Sequence, residues 1–268
     1  MKRIEVNSFA ELNSLIGDFK HQWRSNGFSR PLSNFFPNPA VNSEWIEDCA
    51  IDVFISDDGC LLLVHHTEFV DEIYYVAISE SALGKAIDEL KPDFNRPVIV
   101  EQISKGEPLQ ILTPSRCLIR LSHAGKPSVI GDTIEVVERA DIEEAKKVKE
   151  ILCSEFDPIT DRIPSYEDFK RFVDNSDILV IKDSSTIAGF LIYELAGQSI
   201  HLRYWWTNPL YRGKGVGGKL LKEFFRIGQN TSRQYLWVDE TNDLALPCYL
   251  HYGFSPEGLK DYIQTYIP

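Results

Sequence analysis

The stretch PLYRGKGVGGK, residues 209–219, combines four glycines with two lysines and an arginine just before the segment LLKEFF. Glycine lets the backbone turn sharply and approach a ligand closely. The first backbone N–H groups of a helix have no partner within the helix. A glycine loop that leads into a helix is therefore suited to bind an anion such as a phosphate.

Two familiar phosphate-binding loops match these residues only in part. Gly213, Gly215 and Gly218 have the spacing G-x-G-x-x-G of a dinucleotide fingerprint, and Asp239 ends the next strand, where a ribose-binding acid belongs. The chain after these glycines is too short for the remaining half of that fold. The loop also fits the P-loop spacing G-x-x-x-x-G-K, but Leu220 stands where a hydroxyl residue must bind magnesium.

A third pattern includes Arg212 and follows R-x-x-G-x-G through Gly215 and Gly217. A second block at 236–254, LWVDETNDLALPCYLHYGF, keeps the spacing L-x-V-x-x-x-N-x-x-A-x-x-x-Y-x-x-x-G-F. Together with the P-x-Y-R lead-in, the two blocks resemble the signatures of the Gcn5-related N-acetyltransferases, the GNAT superfamily. The resemblance covers about residues 132–268. The WWT sequence before the loop and Pro247 in the second block depart from the usual pattern.

The resemblance implies acetyl-CoA as the cofactor. In this family the fourth and fifth strands splay apart, the pantetheine arm lies in the gap, and the glycine loop holds the pyrophosphate. We expect cofactor contacts from the fourth strand, the loop and the second block, and no metal. The expected contact residues are Trp206, Thr207, Arg212, Gly213, Lys214, Gly215, Val216, Gly217, Gly218, Asn242 and Tyr249.

The resemblance also implies catalytic roles. Tyr249 matches the family's general acid, which protonates the thiolate that leaves when an amine attacks a thioester. His201 on the fourth strand and Glu194 at the end of the third are candidate bases, and a water relay is an equal alternative. Asp239 and Glu240, just past the fifth strand, are candidates to bind a cationic substrate.

The implied function is transfer of an acetyl group to a primary amine, by direct transfer in a ternary complex. The acceptor is either a small-molecule amine or a peptide amine. The alternative is a non-catalytic acyl-CoA-binding module or sensor whose N-terminal domain binds a partner. Such a module would keep the same loop and tyrosine.

Hydrophobic periodicity predicts an α/β fold with a mixed sheet in the second half. The predicted strands are 133–138, 177–182, 186–195, 199–207, 234–239 and 262–267, and the predicted helices are 140–152, 165–173, 216–228 and 243–251.

The first half gives a weaker pattern in the same order. The predicted helices are 8–24 and 80–90, and the predicted strands are 50–56, 60–67, 72–78, 97–103 and 117–122. A degenerate GNAT-like copy is one interpretation, although no glycine loop precedes the helix at 80–90. A linker over 123–132, with two glycines and a proline, divides the chain into predicted domains at 1–126 and 132–268.

Composition limits the classes of partner. The 268 residues carry 28 Lys and Arg against 40 Asp and Glu, a formal net charge of −12. Because this charge repels nucleic acid and anionic membranes, we expect neither as a partner, whereas a cationic amine is favoured. Five cysteines without metal-like spacing indicate a cytoplasmic protein with reduced thiols. The sequence is compatible with a homodimer.

Overall fold

The computed structural model describes residues 1–25, Gly27, 31–124 and 136–268. They form two compact units, Met1–Cys117 with Lys260–Pro268, and Leu118–Leu259. Most of the predicted linker and the start of the strand predicted at 133–138 lie outside the described residues. Within those ranges, no helix is long and apolar enough to cross a membrane.

The first unit is an α/β unit whose sheet is covered on both faces. Its elements in chain order are β1 (Lys2–Ile4), α1 (Phe9–Ser25), β2 (Leu32–Ser33), α2 (Pro39–Glu47), β3 (Ile51–Ser56), β4 (Cys60–His66), β5 (Asp71–Ala77), α3 (Glu80–Leu90), β6 (Val98–Ser104) and the start of β7 (Thr113–Ala124).

The second unit contains the rest of the elements, apart from the end of the last strand. In chain order they are β8 (Glu138–Arg139), α4 (Ile142–Glu155), α5 (Tyr166–Asp174), β9 (Ile178–Asp183), β10 (Thr186–Ala196), β11 (Ser199–Thr207), α6 (Val216–Ile227), β12 (Arg233–Asp239), α7 (Ala245–His251) and β13 (Ser255–Tyr266).

The sheet of the first unit has the strand order β1-β3-β4-β5-β6-β13, and β2 adds to β5. All neighbours are antiparallel except β5 and β6. Alternate residues of β4 enter two different cores, as the period of a strand requires. Leu62 packs with α3, whereas Leu61 and Leu63 pack with α1 and α2.

The sheet of the second unit has the strand order β7-β12-β11-β10-β9-β8. Of the described strand pairs in this sheet, only β11 and β12 are parallel. Helix α6 packs Leu220, Leu221 and Phe224 against one face of this sheet. Helix α4 lies against β10 on the other face and contacts α5. Capping boxes at Asp141 and Ser165 begin these two helices.

The predicted mixed α/β fold is confirmed. Most predicted elements agree with the structure within a few residues, but β13 begins seven residues before the strand predicted at 262. Strands β1 and β2 and helix α2 were not predicted. For α2 a signal was present, because Asn38 caps the helix and Pro39 occupies its first position.

Candidate functional site

A gap opens between the parallel strands β11 and β12. Their pairing begins at Ser199 opposite Arg233 and ends at Leu202 opposite Leu236, although β11 continues to Thr207. On its other edge β11 stays paired with β10 as far as Thr207. In the part of the chain that the structure describes, no strand pairs with the edge of residues 203–207 that points toward β12.

A β-bulge at Arg203 accounts for the end of this pairing. Tyr193 of β10 lies opposite Leu202 and Ile192 lies opposite Tyr204, so no residue of β10 lies opposite Arg203 in the pairing register. A bulge bends the strand that carries the extra residue and increases its twist. The bend comes directly after Leu202, so it turns the end of β11 away from β12.

The two tryptophans after the bulge lie on opposite faces of the sheet. Trp205 packs with the core beneath α6 and meets Tyr249 of α7, with 5.4 Å between ring centroids. Trp206 stacks on Phe190 on the other face, with 5.5 Å between centroids. It lines an open groove of about 340 Å³ beside α4, where Glu150 is one of the other lining residues.

The glycine loop leads directly into α6. Gly213 and Gly215 have φ angles of 75° and 78°, in the left-handed region where a side chain causes strain. No side chain caps the helix. The backbone N–H groups of Val216, Gly217 and Gly218 make no hydrogen bond to the described residues. The predicted cluster of unpaired donors is therefore present at this helix start.

Gly217 brings the loop against the strand gap. A Cβ at this position would lie 2.9 Å from Cζ2 of Trp205 and 3.1 Å from Oγ1 of Thr207. Only a residue without a side chain permits this approach. A Cβ on Gly218 would lie 2.6 Å from the Tyr252 hydroxyl. Val216 has a buried side chain, so its contribution at the helix start is its backbone N–H.

Two cationic side chains extend from the exposed loop. The Arg212 Nε donates a hydrogen bond to the Thr207 carbonyl at 3.4 Å. The Lys214 ammonium lies 5.0 Å from the centroid of the Tyr211 ring, and the Tyr211 hydroxyl donates to Asp183. Their charges add to the positive end of the helix dipole.

Tyr249 lies on the same side of the sheet as Trp205 and α6. Its side chain packs on Phe254, and the residue is 7% exposed. Burial raises the pKa of the Tyr249 hydroxyl well above its usual value. The hydroxyl makes no hydrogen bond to a residue that the structure describes. This phenol therefore stays protonated at neutral pH and is free to donate to a ligand.

The start of α7 explains two residues of the second block. The Asn242 Oδ1 accepts a hydrogen bond from the Ala245 N–H at 3.0 Å, so Asn242 fixes the turn before the helix. Pro247 is the third residue of the helix, where a missing N–H costs no helical hydrogen bond. The helix starts at Ala245, two residues after the predicted start.

The two candidate bases lie beside the paired part of β11. His201 faces Glu194 across the strands, and its ring stacks on Tyr235 with 4.5 Å between centroids. Burial, with the guanidiniums of Arg203 and Arg120, lowers the pKa of His201 to about 3. Glu194 accepts a hydrogen bond from Arg203 at 2.9 Å. A histidine with so low a pKa is a poor proton acceptor, so this geometry does not favour it as the base.

Residues 145–254 match the sequence model of the Acetyltransferase (GNAT) family. This span contains both sequence blocks, the gap, the loop and Tyr249. Residues 145–254 form a GNAT domain.

The fold extends beyond that domain in comparisons of structure. A GCN5-related N-acetyltransferase from Sphaerobacter thermophilus has a TM-score of 0.56 at 14% identity, covering 84% of both chains. A tandem GNAT protein from the clavulanic acid biosynthesis pathway has a TM-score of 0.55 at 12% identity, covering 81% of this chain and 83% of the other. A probable N-acyltransferase from Enterococcus faecalis V583 has a TM-score of 0.57 at 12% identity, covering 99% and 71%. No curated protein shows significant sequence similarity to the chain.

The GNAT domain has polar groups that suit an extended ligand with an anionic end. The Trp205 indole N–H is buried and has no hydrogen-bond partner among the described residues. It lies between the glycine loop and Tyr249, next to the open edge of β11. Within the described ranges, no group of three or more His, Cys, Asp or Glu side chains could hold a metal ion.

A row of guanidinium and aromatic groups lies on the face of the second unit opposite α6. The Arg120 guanidinium lies 5.5 Å from the Trp237 ring centroid, and the Arg233 guanidinium lies 4.8 Å from that of Tyr235. Glu257 pairs with both arginines. Asp239, one of the two acids predicted to bind a cation, accepts hydrogen bonds from the N–H and hydroxyl of Thr241.

This row was not found from the sequence. Its members come from different strands, and nothing in their spacing along the chain brings them together. The position of Trp205 beside the loop was not predicted either, because it depends on the bulge at Arg203. The predicted residues that the structure brings together are Thr207, Gly217 and Tyr249, through Trp205. His201 and Glu194 lie on the side of the bulge where β11 still pairs with β12. Trp206 lies on the face of the sheet opposite Trp205.

Proposed function

We propose that the GNAT domain binds acetyl-CoA and transfers the acetyl group to a primary amine. The observation that carries this proposal is the convergence of three features around Trp205. They are the open edge of β11, the uncapped start of α6, and the protonated hydroxyl of Tyr249.

Backbone groups would supply most of the binding. The N–H groups of Val216, Gly217 and Gly218 suit a pyrophosphate, and Arg212 and Lys214 add positive charge near it. The unpaired backbone of β11 after Leu202 suits the amide groups of a pantetheine arm, in the way that a strand pairs with an added strand. The exposed position of the loop leaves it open to solvent on the ligand side.

Acetyl-CoA, when bound, supplies an acetyl group activated as a thioester. Unpaired N–H groups along the β11 edge are suited to polarise a carbonyl group. Tyr249 is suited to donate a hydrogen bond and then its proton to the leaving sulfur, because a phenol with its ordinary pKa near 10 is already protonated at neutral pH. The raised pKa of Tyr249 excludes it as the base that deprotonates the amine.

A water relay is the base that fits this site best. His201 has a pKa of about 3 and Glu194 is tied to Arg203. The acceptor would approach from the face opposite α6, because α6 and Tyr249 close the other face. The acceptor class stays as predicted, a small-molecule amine or a peptide amine.

Two further predictions belong to this proposal. None of the five cysteines, all of which the structure describes, forms a disulfide, which supports a cytoplasmic protein with reduced thiols. The net charge of −12 supports a cationic acceptor and argues against nucleic acid or an anionic membrane as partner. A homodimer stays a prediction from the sequence.

Thiol release from acetyl-CoA tests the proposal directly. The purified chain would be mixed with acetyl-CoA and a panel of primary amines, namely amino acids, amino sugars, polyamines and a short peptide. Each active amine would be repeated as its N,N-dimethyl analogue, which cannot accept an acetyl group. We expect at least one primary amine to raise thiol release about tenfold or more above the rate without amine, and its dimethyl analogue to give no increase.

Two results would contradict the proposal. Binding of acetyl-CoA without thiol release for any amine would identify a binding module instead of an enzyme. Thiol release at the same rate with and without amine would identify a thioester hydrolase.

A further inference from the structure

The first unit repeats the element order of the second unit. The order β1, α1, α2, β3, β4, β5, α3, β6 corresponds to β8, α4, α5, β9, β10, β11, α6, β12, with β2 as an addition. Among the described strands of each unit, one pair is parallel, and its two strands precede and follow α3 in the first unit and α6 in the second. The β5–β6 pairing ends at Ile73 opposite Val100, just as the β11–β12 pairing ends at Leu202 opposite Leu236.

The chain itself fills the gap that this topology creates in the first unit. Strand β2 pairs with the end of β5, with Leu32 opposite Ala77 and Ser33 opposite Val76. The other edge of β5 is paired with β4 along its whole length. Segment 32–35 therefore lies along the edge of β5 that faces β6, at the point where β6 has separated from it.

Asn34 joins the two diverging strands. Its Oδ1 accepts a hydrogen bond from the Tyr75 N–H at 2.7 Å. Its Nδ2 donates to the Ile73 carbonyl on β5 at 3.0 Å and to the Glu101 carbonyl on β6 at 2.9 Å. One side-chain amide thus satisfies three backbone groups that the separation of the strands leaves unpaired. A ligand amide would need the same groups.

Phe35 holds the segment in place. Its side chain is buried in the core beneath α1, and its ring meets Tyr74 edge-on with 5.9 Å between centroids. The neighbouring Phe36 is 74% exposed and contributes no such burial. The segment is therefore bound by strand pairing, by the amide of Asn34 and by one apolar anchor.

The start of α3 is also closed to an anion. The Ser79 side chain accepts a hydrogen bond from the Ala82 N–H, so a side chain caps this helix where α6 has none. Glu80, the first residue of α3, places a negative charge there. Residues 105–112, which the structure describes throughout, form no helix after β6, so the first unit has no counterpart of α7 and its tyrosine.

We propose that segment 32–35 is a built-in occupant of the cofactor gap of the first unit, and that the chain therefore binds one acyl-CoA, in the GNAT domain. The first unit would keep the fold without its cofactor site. The number of bound cofactors depends on the proposed function, whereas occupation of the gap by Asn34 does not.

Hydrogen exchange at the Tyr75 amide tests the role of Asn34. In Asn34→Ala this amide loses its acceptor, and we expect its exchange to become at least about tenfold faster than in the wild type. Ser33→Ala is the control, because the Ser33 Oγ accepts only from the Phe35 N–H within the same segment. We expect Ser33→Ala to change Tyr75 exchange less than about threefold. Equal exchange in Asn34→Ala and the wild type would overturn the assignment.

Native mass spectrometry tests the claim that the chain binds one acyl-CoA. It counts the bound coenzyme A molecules and leaves segment 32–35 unchanged. We expect one coenzyme A on the wild type and none on Gly215→Glu, which places a negative charge at the α6 start. Two coenzyme A molecules on the wild type, or one coenzyme A that stays bound in Gly215→Glu, would overturn the proposal. None on the wild type would contradict the proposed function, while the exchange result would still decide the role of Asn34.

Discussion

Replacing Tyr249 with phenylalanine should separate catalysis from stability. The ring of Tyr249 packs on Trp205 and Phe254, and phenylalanine keeps these contacts. The hydroxyl makes no hydrogen bond to the described residues, so Tyr249→Phe breaks no bond within the protein. The Tyr249 hydroxyl is not among the fully buried polar atoms that lack a partner, so it keeps access to solvent in the folded protein.

The expected magnitudes follow from these contacts. Removal of a solvent-accessible hydroxyl that has no protein partner should change the free energy of unfolding by less than about 0.5 kcal/mol. A hydrogen bond to a charged group is worth about 1.5–3 kcal/mol, which corresponds to a fall in kcat of about 10- to 150-fold. Proton transfer by the tyrosine would make the fall larger. Binding of acetyl-CoA should change little.

Tyr204→Phe is the matched control for this experiment. The Tyr204 hydroxyl donates to the carbonyls of Asp161 and Arg162, at 2.8 Å and 2.6 Å. The same chemical change should therefore lower stability by about 1 kcal/mol at Tyr204. Urea unfolding and steady-state kinetics on both variants would measure the two effects. An unchanged kcat in Tyr249→Phe, or a loss of stability as large as that of Tyr204→Phe, would refute the assigned role.

Three further predictions concern other residues. His201→Gln should change kcat less than about tenfold and leave the pH profile of kcat/KM unaltered near pH 6.5, because the pKa of His201 is about 3. A larger fall in kcat would support His201 as the base. Burial raises the pKa of Asp177 to about 6, so its charge weakens the fold above pH 6 and ceases to do so as pH falls toward 4. Asp177→Asn should therefore raise the free energy of unfolding by up to about 3 kcal/mol at pH 7.5 and leave it unchanged near pH 4. A difference from the wild type in urea unfolding that does not depend on pH would contradict this. Gly217→Ala should lower the free energy of unfolding by about 1 kcal/mol and weaken acetyl-CoA binding, because the added methyl group contacts Trp205. Its control is Gly84→Ala, in open space on α3, which should raise the free energy of unfolding by about 0.5–1 kcal/mol in thermal or urea unfolding.

The part of the site that could be predicted from sequence is the part that is continuous in the chain. The glycine loop and the block around Tyr249 each lie within about 20 residues, and their chemistry depends on local backbone. Resemblance of these continuous segments to a family's signatures therefore located the helix start and the tyrosine.

The rest depends on pairing between distant segments. The bulge at Arg203 exists only relative to β10, and it decides that Trp205 is the tryptophan beside the loop. Strand β2 has two residues, too few to show a periodicity. The role of Asn34 needs β5 and β6 in place, and they lie about 40 and 67 residues further along the chain. The pKa of His201 depends in the same way on Arg120, from another strand.

Calorimetric titration with acetyl-CoA tests most directly whether the glycine loop is an anion site that holds the cofactor. The wild type would be compared with Gly215→Gln and Gly215→Glu, since a Cβ at Gly215 meets nothing within 4 Å and both variants carry the same strain at φ 78°. The two variants differ chiefly in one negative charge at the start of α6. We expect binding by the wild type, and at least about tenfold weaker binding by Gly215→Glu than by Gly215→Gln, a difference that salt reduces. No binding by the wild type at millimolar acetyl-CoA, or equal affinities of the two variants, would contradict the account.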